Sequence, residues 1–462
     1  MAGVLGGAGV LPRLMARIGA AAAVKTDVWA AGISYIDLSL MVAEGYPTNW
    51  PTGFPRYRLE RTQVIGSESP YNIDRLTIDG NTGTQLDAPA HSVARPELKL
   101  PHSGPLGDEF TGVIPVWKFV GEACIVDVRD LLDQAANGAS PLILKERILA
   151  WERAHRTFGS GDVPLFYSGY NDRYYRAMPE GRRFLVDPLE GLAPAWPAPI
   201  PETMEFLAAN RGVRHIGCDS PTIGPIPDLA GQTHYAALQY GAIYTEGAIG
   251  LKQLPSTGAF YCMLGPKHAG GPYSEGRAFA IVGDPLASQL IDSARGRRVI
   301  DLSVVNSIDN PITWPGWSIG QNRELYSKNN FLWSNNLQLY HHGHSMDSQA
   351  GTHLVPPAYA LPAGPFDPNK YSPKIRGWLE EYEERYGLRG MSDVTTEKVS
   401  LEQTCGWSRV VDVTSLVGTT DRGQWPASPE ITADFLRQAE SSHGQFKPGE
   451  IVIFRTGHTD RT

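Results

Sequence analysis

One stretch of the chain carries most of the information about its structure, Asn81-Thr82-Gly83-Thr84-Gln85-Leu86-Asp87-Ala88-Pro89-Ala90-His91. The small residues Gly83 and Thr84 allow a close turn of the backbone, so Asp87 and His91 can converge from one loop. A carboxylate and an imidazole are suitable ligands for a zinc- or manganese-like ion. The alternative is a turn in which Asp87 caps a helix and His91 is a surface residue. The spacing alone leaves both interpretations open.

A second pair of polar residues lies far downstream, His234 and, twelve positions later, Glu246. Residues 235–240 are predicted to form a short helix that ends at Gly241, and residues 242–245 a strand. A helix that reverses into a strand can bring a histidine at its start close to a glutamate at the strand's end. Such a pair is common by chance, so by itself it is weak evidence for a site.

The chain also repeats itself in order. In chain order the matching segments are Asp37-Leu38-Ser39 with Asp301-Leu302-Ser303, Trp50-Pro51 with Trp314-Pro315, Gly83-Thr84 with Gly351-Thr352, and Val126-Asp127-Val128 with Val411-Asp412-Val413. The displacement grows from 264 to 268 and then to 285 positions. The last increase falls in a charged segment around residues 375–386, which predicts an extra helix there. An ordered series of this kind indicates an internal duplication.

The repeat divides the chain into four parts. We predict an N-terminal arm over residues 1–32, a complete first domain over 33–283, a polar linker over 284–298 and a second domain over 299–462. The second domain has no counterpart of the last third of the first, so it is C-terminally incomplete. Its end just after a strand-like run favours a fragment of a longer protein. Short apolar runs that alternate with helical segments predict α/β structure in both domains.

Composition excludes several classes of partner. The net charge of −8 offers no basic surface for phosphates, so no nucleic-acid partner is expected. No run of 18 apolar residues predicts a membrane span. The four cysteines are widely spaced, which fits neither a disulfide framework nor a thiolate zinc site. A cytoplasmic enzyme with a small-molecule substrate is the simplest interpretation.

Together these segments resemble the cyclase superfamily, which includes bacterial kynurenine formamidases and isatin hydrolases. Its signature is H-x-G-T-H-x-D-x-P-x-H, preceded by a D-L-(S/T) strand with a W-P turn and followed by a distant H…E pair. In this chain Asn81 and Gln85 stand where the signature has its first two histidines. The resemblance implies a swivelling β/β/α domain, here duplicated. Family members commonly pair as homodimers, so we expect a homo-oligomer or an intrachain pseudo-dimer.

The resemblance also implies a site and a reaction. One divalent ion, zinc or manganese, is expected to be held by Asp87, His234 and Glu246, with Gln85 nearby. His91 is the expected general base and acid toward a metal-activated water. The substrate is expected to be a small amide, lactone or cyclic imide. Residues expected to lie near the substrate or the ligands are Asn81, Thr84 and His353.

Two other functions are compatible with the same sequence. A catalytically degenerate scaffold or binding protein is suggested by Asn81 and Gln85. A biosynthetic cyclase or dehydratase would use the same metal but add no water. The second domain is not expected to form an independent catalytic site, because Val355 and Tyr359 replace the motif's aspartate and last histidine.

A histidine-rich run, His341-His342-Gly343-His344, precedes the second copy of the motif. It has two interpretations. Three histidines within four positions are able to bind a metal ion. A run of this kind more often forms a solvated loop or lines an interface, and that is the interpretation we favour from the sequence.

Overall fold

The apolar run at residues 123–126 forms a strand that is covered on both faces. Cys124 and Val126 project into one hydrophobic cluster, and Ala123 and Ile125 project into another. Because successive side chains of a strand point to opposite faces, a continuous apolar run is what such a position requires. The α/β prediction for this part of the chain is confirmed.

The computed structural model describes residues 32–48, 50, 55–66, 69–307, 327–334, 339–365, 367–418 and 428–459. The description of 327–334 and 339–342 is confined to the backbone. The predicted N-terminal arm, except for its last residue, lies outside these ranges. The Trp314-Pro315 segment of the repeat also lies outside them. The chain divides into two compact units, one of residues 33–397 and one that contains residues 398–459. This division differs in place from the linker at 284–298.

Most strands belong to the larger unit. Its strands are β1 (Ser34–Asp37), β2 (Arg58–Gln63), β3 (Ile73–Asp79), β4 (Gln85–Asp87), β5 (Val120–Asp127), β6 (Leu142–Ile143), β7 (Asp162–Tyr167), β8 (Ala198–Pro199), β9 (His215–Cys218), β10 (Ile243–Glu246), β11 (Ala259–Leu264), β12 (Tyr273–Glu275), β13 (Arg277–Val282), β14 (Ser327–Ser334) and β15 (Leu339–Asp347). The smaller unit contains β16 (Ser408–Asp412) and β17 (Ile451–Arg455).

The helices are short, as the glycine- and proline-rich composition indicates. In the larger unit they are α1 (Lys145–Ala154), α2 (Tyr170–Tyr174), α3 (Val186–Leu189), α4 (Pro201–Glu205), α5 (Ala230–Leu238), α6 (Leu286–Arg295) and α7 (Pro373–Tyr386). The smaller unit has α8 (Leu401–Thr404) and α9 (Ala433–His443). The extra helix predicted around residues 375–386 is confirmed as α7. Among the described residues no helix is both long enough and apolar enough to cross a membrane.

A mixed nine-stranded sheet positions the candidate site. Its strand order is β1-β13-β11-β5-β7-β9-β10-β4-β12. The central strands β5, β7, β9 and β10 are parallel, and β4 pairs antiparallel with both β10 and β12. The sheet curls around a cluster that contains Leu38, Leu86, Leu165 and Tyr261, all fully buried. β4 therefore lies between two strands near one edge of a curled sheet.

The duplication is visible in strand pairing. In the first copy Val126 pairs with Phe166 across the parallel strands β5 and β7. In the second copy Val411 pairs with Phe454 across the parallel strands β16 and β17. Val411 is the counterpart of Val126 in the repeat, and a phenylalanine lies opposite each of them, so both copies form the same parallel ladder.

A backbone hydrogen bond is also repeated. The N–H of Leu40 donates to Thr84 Oγ1 at 2.8 Å, and the N–H of Val304 donates to Thr352 Oγ1 at 3.1 Å. Each bond joins the D-L-S segment of its copy to the Gly-Thr segment of the same copy. The described part of the chain thus contains two copies of one α/β arrangement.

A second sheet joins strands from both copies. Its order is β14-β15-β3-β2, and β15 of the second copy pairs antiparallel with β3 of the first. The histidine-rich run therefore lies in a strand, so the expectation of a solvated loop is wrong at His344, which is only 1% exposed. The side chains of His341 and His342 lie outside the described residues.

Candidate metal centre

The Gly-Thr segment fixes the start of β4. Gly83 adopts a left-handed backbone with φ +71°, and an added Cβ there would lie 2.6 Å from Val42 Cγ2. Glycine is therefore required by both conformation and space. The Thr84 hydroxyl donates to the carbonyl of Gly247 at 2.7 Å and accepts the N–H of Leu40. Thr84 thus anchors the strand, and its hydroxyl is already engaged by the backbone.

Three ligand-capable side chains meet at the end of β4. Asp87, His91 and His234 each offer an atom, and these atoms lie within 4.8 Å of one another. Asp87 is fully buried, and each histidine is 3% exposed. The alternative in which Asp87 caps a helix and His91 is a surface residue is wrong. His91 instead ends a single buried 3-10 turn, Pro89–His91, whose N-cap is Ala88.

His234 enters this cluster from α5. The predicted helix was placed too late: it begins at Ala230, and His234 lies within it, not at its start. The His234 Nδ1 lies 2.6 Å from the carbonyl oxygen of Ala230, to which it donates a hydrogen bond. The other ring nitrogen, Nε2, lies 3.1 Å from Glu246 Oε1 and 3.7 Å from Asp87 Oδ2. A carbonyl contact of this kind is the usual way in which a metal-binding histidine is oriented.

Asp87 has the environment of a group that needs a cation. Among the described residues, neither of its buried carboxylate oxygens has a hydrogen-bond partner. Burial and the charge of Glu246 raise the pKa of Asp87 well above its usual range, while His234 acts in the opposite direction. Burial alone would lower the pKa of His234, but the hydrogen bond and charge of Glu246, with the charge of Asp87, raise it to about 9. The shift of His234, which runs against the effect of burial, indicates an excess of negative charge beside its ring.

Glu246 is more fully occupied than the expected ligand set implies. Its Oε1 accepts the Thr222 hydroxyl at 2.8 Å and the Ile223 N–H at 2.6 Å, and lies 3.1 Å from His234 Nε2. Its Oε2 accepts the Gln85 amide at 2.7 Å. A carboxylate has about four lone-pair directions, and these donors leave little capacity for an ion. Glu246 is therefore best placed to hold His234 and Gln85.

The two amides that replace signature histidines form a hydrogen-bonded chain. Gln85 Nε2 donates both to Glu246 and to Asn81 Oδ1, the latter at 2.7 Å. The backbone N–H of Asn81 donates to Asp79 Oδ1. The amide nitrogen of Gln85 is thus directed at Glu246 as a donor, which disfavours a second ion between these residues. A narrow cleft of about 10 Å³ lies beside Asn81 and is lined by apolar groups that include Trp50 and Phe184.

His91 lies in an aromatic environment. Its ring packs edge-to-face on Tyr273 with centroids 4.9 Å apart, and at a similar angle against His234 at 5.5 Å. Tyr273 is fully buried and is paired in register with Asp87 across β12 and β4. Tyr273 and Thr222 were not identified from the sequence, because neither lies in the family signature or in a segment that repeats.

His353 lies apart from this buried cluster. It is exposed, and its Nδ1 lies 2.9 Å from the carbonyl oxygen of Gly351 in its own copy. The ligand-capable group at β4 is formed without it. A second group consists of His268, Glu275 and His344. Of these, only His344 was considered as a ligand from the sequence, as part of the histidine-rich run.

Known proteins with similar sequences or structures are hydrolases and cyclases by name. The isatin hydrolase of Roseibium aggregatum is 23% identical over 243 residues, which covers 51% of this chain and 85% of that protein. The solved isatin hydrolase A from Ralstonia solanacearum is 22% identical, with a TM-score of 0.45, and the match covers 61% of this chain and all of that one. A structure described as a potential metal-dependent hydrolase with cyclase activity is 20% identical, with a TM-score of 0.38 and coverage of 54% and 100%.

A family model described as putative cyclase matches the chain in two segments, residues 36–225 and 300–462. Together these segments make up well over half of the sequence. They begin within a few residues of the two D-L-S segments, so the family match and the internal repeat coincide. The chain belongs to the cyclase family, whose domain it carries in two copies.

Proposed function

We propose that this chain is a metal-dependent hydrolase that opens a small amide, lactone or cyclic imide at the site formed by Asp87, His91 and His234. The observation that carries the proposal is the buried Asp87 carboxylate, which has no hydrogen-bond partner among the described residues and faces two histidines. An uncompensated buried carboxylate is costly unless a cation or a proton neutralises it. The similarity to proteins named isatin hydrolase and metal-dependent hydrolase supports the reaction class.

The side chains present fit one divalent ion. Asp87 and His234 would hold it, while Glu246 lies beside them with its oxygens already engaged by Thr222, Ile223 and Gln85. The separation of 3.7 Å between Asp87 Oδ2 and His234 Nε2 is close to the ~3.3 Å between two ligands of a tetrahedral zinc with bonds near 2.0–2.1 Å. When bound, such an ion supplies Lewis-acid polarisation of a carbonyl and activation of water.

His91 is the residue placed to move the proton. It reaches the same small volume as Asp87 and His234, and its ring is held by Tyr273. An imidazole has an ordinary pKa near neutrality, so it can accept a proton from water and return it to the leaving nitrogen or oxygen. Glu246 is a positioning residue, because it holds the ring of His234 and the amide of Gln85.

The surroundings favour a small, partly apolar substrate. The site is buried, and the cleft beside Asn81 is lined by aromatic and aliphatic side chains, including Trp50. Apolar walls with a few polar groups are typical of small-molecule sites. Asn81, at the edge of this cleft, is the residue best placed to contact a polar substituent of the substrate.

Metal analysis and hydrolysis assays on matched variants test the proposal. Purified protein should carry an ion that His234→Ala removes, and chelation should abolish hydrolysis of an aryl formamide, lactone or imide. His91→Ala should retain the ion at the β4 site and lose hydrolysis by about 100-fold or more, as expected for a general base. His155→Gln, at an exposed histidine, is the control. Chelator-resistant hydrolysis would contradict the proposal.

A second function is favoured by a specific observation. The Gln85 amide occupies Glu246 Oε2, so the site has lost part of the ligand set that the family signature provides. In a degenerate scaffold, His91→Ala would leave ligand or partner binding unchanged, and no hydrolysis would be detected in the wild type. The same pair of proteins therefore separates the two functions.

A further inference from the structure

A second cluster of ligand-capable side chains lies where the two copies meet in the larger unit. His268 comes from the loop after β11, and Glu275 is the last residue of β12, both in the first copy. His344 comes from β15 of the second copy. The group therefore forms only where the two copies meet, next to the pairing of β15 with β3.

The three side chains converge on one carboxylate oxygen. Glu275 Oε1 lies 3.2 Å from His344 Nε2 and 3.7 Å from His268 Nε2. The two imidazole rings are 4.4 Å apart, and one ligand atom from each of the three residues lies within 4.8 Å of the others. Ligands of a tetrahedral zinc with bonds near 2.0–2.1 Å are separated by ~3.3 Å, so these spacings need little adjustment to receive an ion.

The cluster is held rigidly by backbone contacts from both copies. The carbonyl of His268 accepts the N–H of Gly112 at 3.1 Å. The N–H of Ala269 donates to the carbonyl of Asn306 at 2.8 Å, and the N–H of Asn306 donates to the carbonyl of Lys267 at 2.7 Å. A loop fixed in this way presents His268 without the cost of ordering a mobile segment.

The cluster is largely buried and lies beside a second carboxyl group. His268 is fully buried, and the Glu275 side chain is 16% exposed. Among the described residues, Glu275 Oε2 has no hydrogen-bond partner. Asp79 is also buried beside this group, and its charge interacts with both His344 and Glu275. Two acids and two imidazoles in a closed volume form a chemical environment suited to a divalent cation.

A simple ion pair between His344 and Glu275 is the competing explanation. It accounts for the 3.2 Å contact but gives no role to His268, whose Nε2 approaches the same oxygen. Two cationic imidazoles this close would repel each other, and a neutral imidazole keeps one ring nitrogen with a free lone pair. One imidazole nitrogen therefore remains suitable as a ligand.

We infer that His268, Glu275 and His344 form a second divalent-cation site, of the zinc class, that ties the second copy to the first. Two nitrogens and one carboxylate oxygen form a ligand set typical of zinc. Gln85 of β4 pairs in register with Glu275 of β12 on one side and with Glu246 of β10 on the other. Strand β4 therefore separates this cluster from Glu246 and from the site at Asp87 and His234. Its loading does not depend on the proposed hydrolase activity.

Metal content of the full chain tests the inference. The protein is stripped with a chelator, reloaded with Zn²⁺ alone, dialysed and analysed for zinc, and Co²⁺ is used in parallel because its visible absorption reports tetrahedral coordination. The variants are His344→Gln, Glu275→Gln and His234→Ala, with His155→Gln as the control. Wild type with both sites filled should retain two ions per chain, and each site variant one.

The two sites give different patterns of loss. If the proposed hydrolase site is empty, wild type retains one ion, which His344→Gln removes and His234→Ala leaves in place. Affinity at the inferred site should fall more than about 100-fold in His344→Gln, since even outer partners of a metal ligand contribute ~10- to 100-fold. Zinc content and Co²⁺ absorption that are unchanged in both His344→Gln and Glu275→Gln would overturn the inference.

The unfolding temperature with and without Zn²⁺ provides a second measurement, which remains informative if one variant is less stable. Zn²⁺ should raise the unfolding temperature of His234→Ala, because an ion bound only by the folded chain stabilises it. The same addition should leave the double variant His234→Ala/Glu275→Gln unchanged. An equal shift in both proteins would overturn the inference.

Discussion

Thr77 and Ser345 face each other across β3 and β15, with their hydroxyl oxygens 3.2 Å apart. They are equivalent residues of the two copies, 268 positions apart, as are Gly83 and Gly351. The pairing is therefore symmetric about this point: equivalent strands of the two copies run antiparallel on either side of it. A homodimer of single-copy chains would pair identical strands in the same way, and an intrachain pseudo-dimer remains our proposal for this chain.

Ser345→Pro should disrupt this pairing. Proline lacks the N–H that a strand between two neighbours donates, and β15 lies between β14 and β3. The free energy of unfolding should fall by about 1–3 kcal/mol, the cost of leaving a backbone carbonyl without its donor, measured by urea denaturation. Ser345→Thr, which keeps the hydroxyl and suits a strand, is the control. A proline variant as stable as the threonine variant would show that the pairing contributes nothing.

Gln85→Leu should destabilise the protein through Glu246. The substitution removes the amide that donates at 2.7 Å to a buried carboxylate oxygen. Hydrogen bonds to charged groups contribute about 1.5–3 kcal/mol, and the free energy of unfolding should fall by that amount. Gln253→Leu is the matched control, because that side chain is exposed and has only a 3.4 Å contact with a carbonyl. Equal losses in the two variants would contradict the role given to Gln85.

The duplicated fold was predictable because its evidence is local in sequence. Val126 and Val411 lie in short segments that recur almost unchanged, and the structure pairs both in the same register. The approach of Asp87 to His234 was predictable for a different reason, since both belong to a family signature. Asp87 lies in β4 next to β10, and the helix that carries His234 leads directly into β10.

The second cluster was not predictable by either route. Glu275 and His344 lie 69 positions apart, in different copies, and no repeated segment contains either of them. Their contact depends on the antiparallel pairing of β15 with β3, a tertiary relationship that periodicity does not encode. The hydrogen bonds that Thr222 and Gln85 donate to Glu246 could not be predicted either, because they depend on side-chain geometry within the folded site.

His215→Gln should flatten the acid side of the stability profile. Burial lowers the pKa of His215 to about 3, so the folded protein holds it neutral, with Nε2 2.8 Å from the Thr245 hydroxyl. The unfolded chain binds a proton near pH 6.5. The stability that results from keeping His215 neutral is therefore fully present above about pH 6.5 and is lost as the pH falls toward 3. The loss in the free energy of unfolding is up to about 4 kcal/mol.

Urea denaturation of the chelated protein between pH 7 and pH 3 measures this effect. The difference between wild type and His215→Gln should shrink as the pH falls, because only wild type must take up this proton on unfolding. His155→Gln removes an exposed histidine and should run parallel to wild type. Parallel curves for wild type and His215→Gln would show that burial of His215 does not govern the acid limb.

Gly224→Ala should weaken metal binding at Asp87 and His234 without replacing a ligand. A Cβ at Gly224 would lie 2.7 Å from Ala230 Cα and 3.0 Å from His234 Cε1. The first contact is with the backbone of α5, which cannot give way as a flexible side chain does, so the helix and its histidine must shift. Zinc affinity at this site should fall by about 10- to 100-fold, measured by titration in the His344→Gln background.

Gly377→Ala is the control, because Gly377 lies at an exposed position of α7 with space for a Cβ. This variant should leave zinc affinity unchanged and raise the free energy of unfolding by up to about 1 kcal/mol. Unchanged affinity in Gly224→Ala would mean that the position of α5 does not control the site.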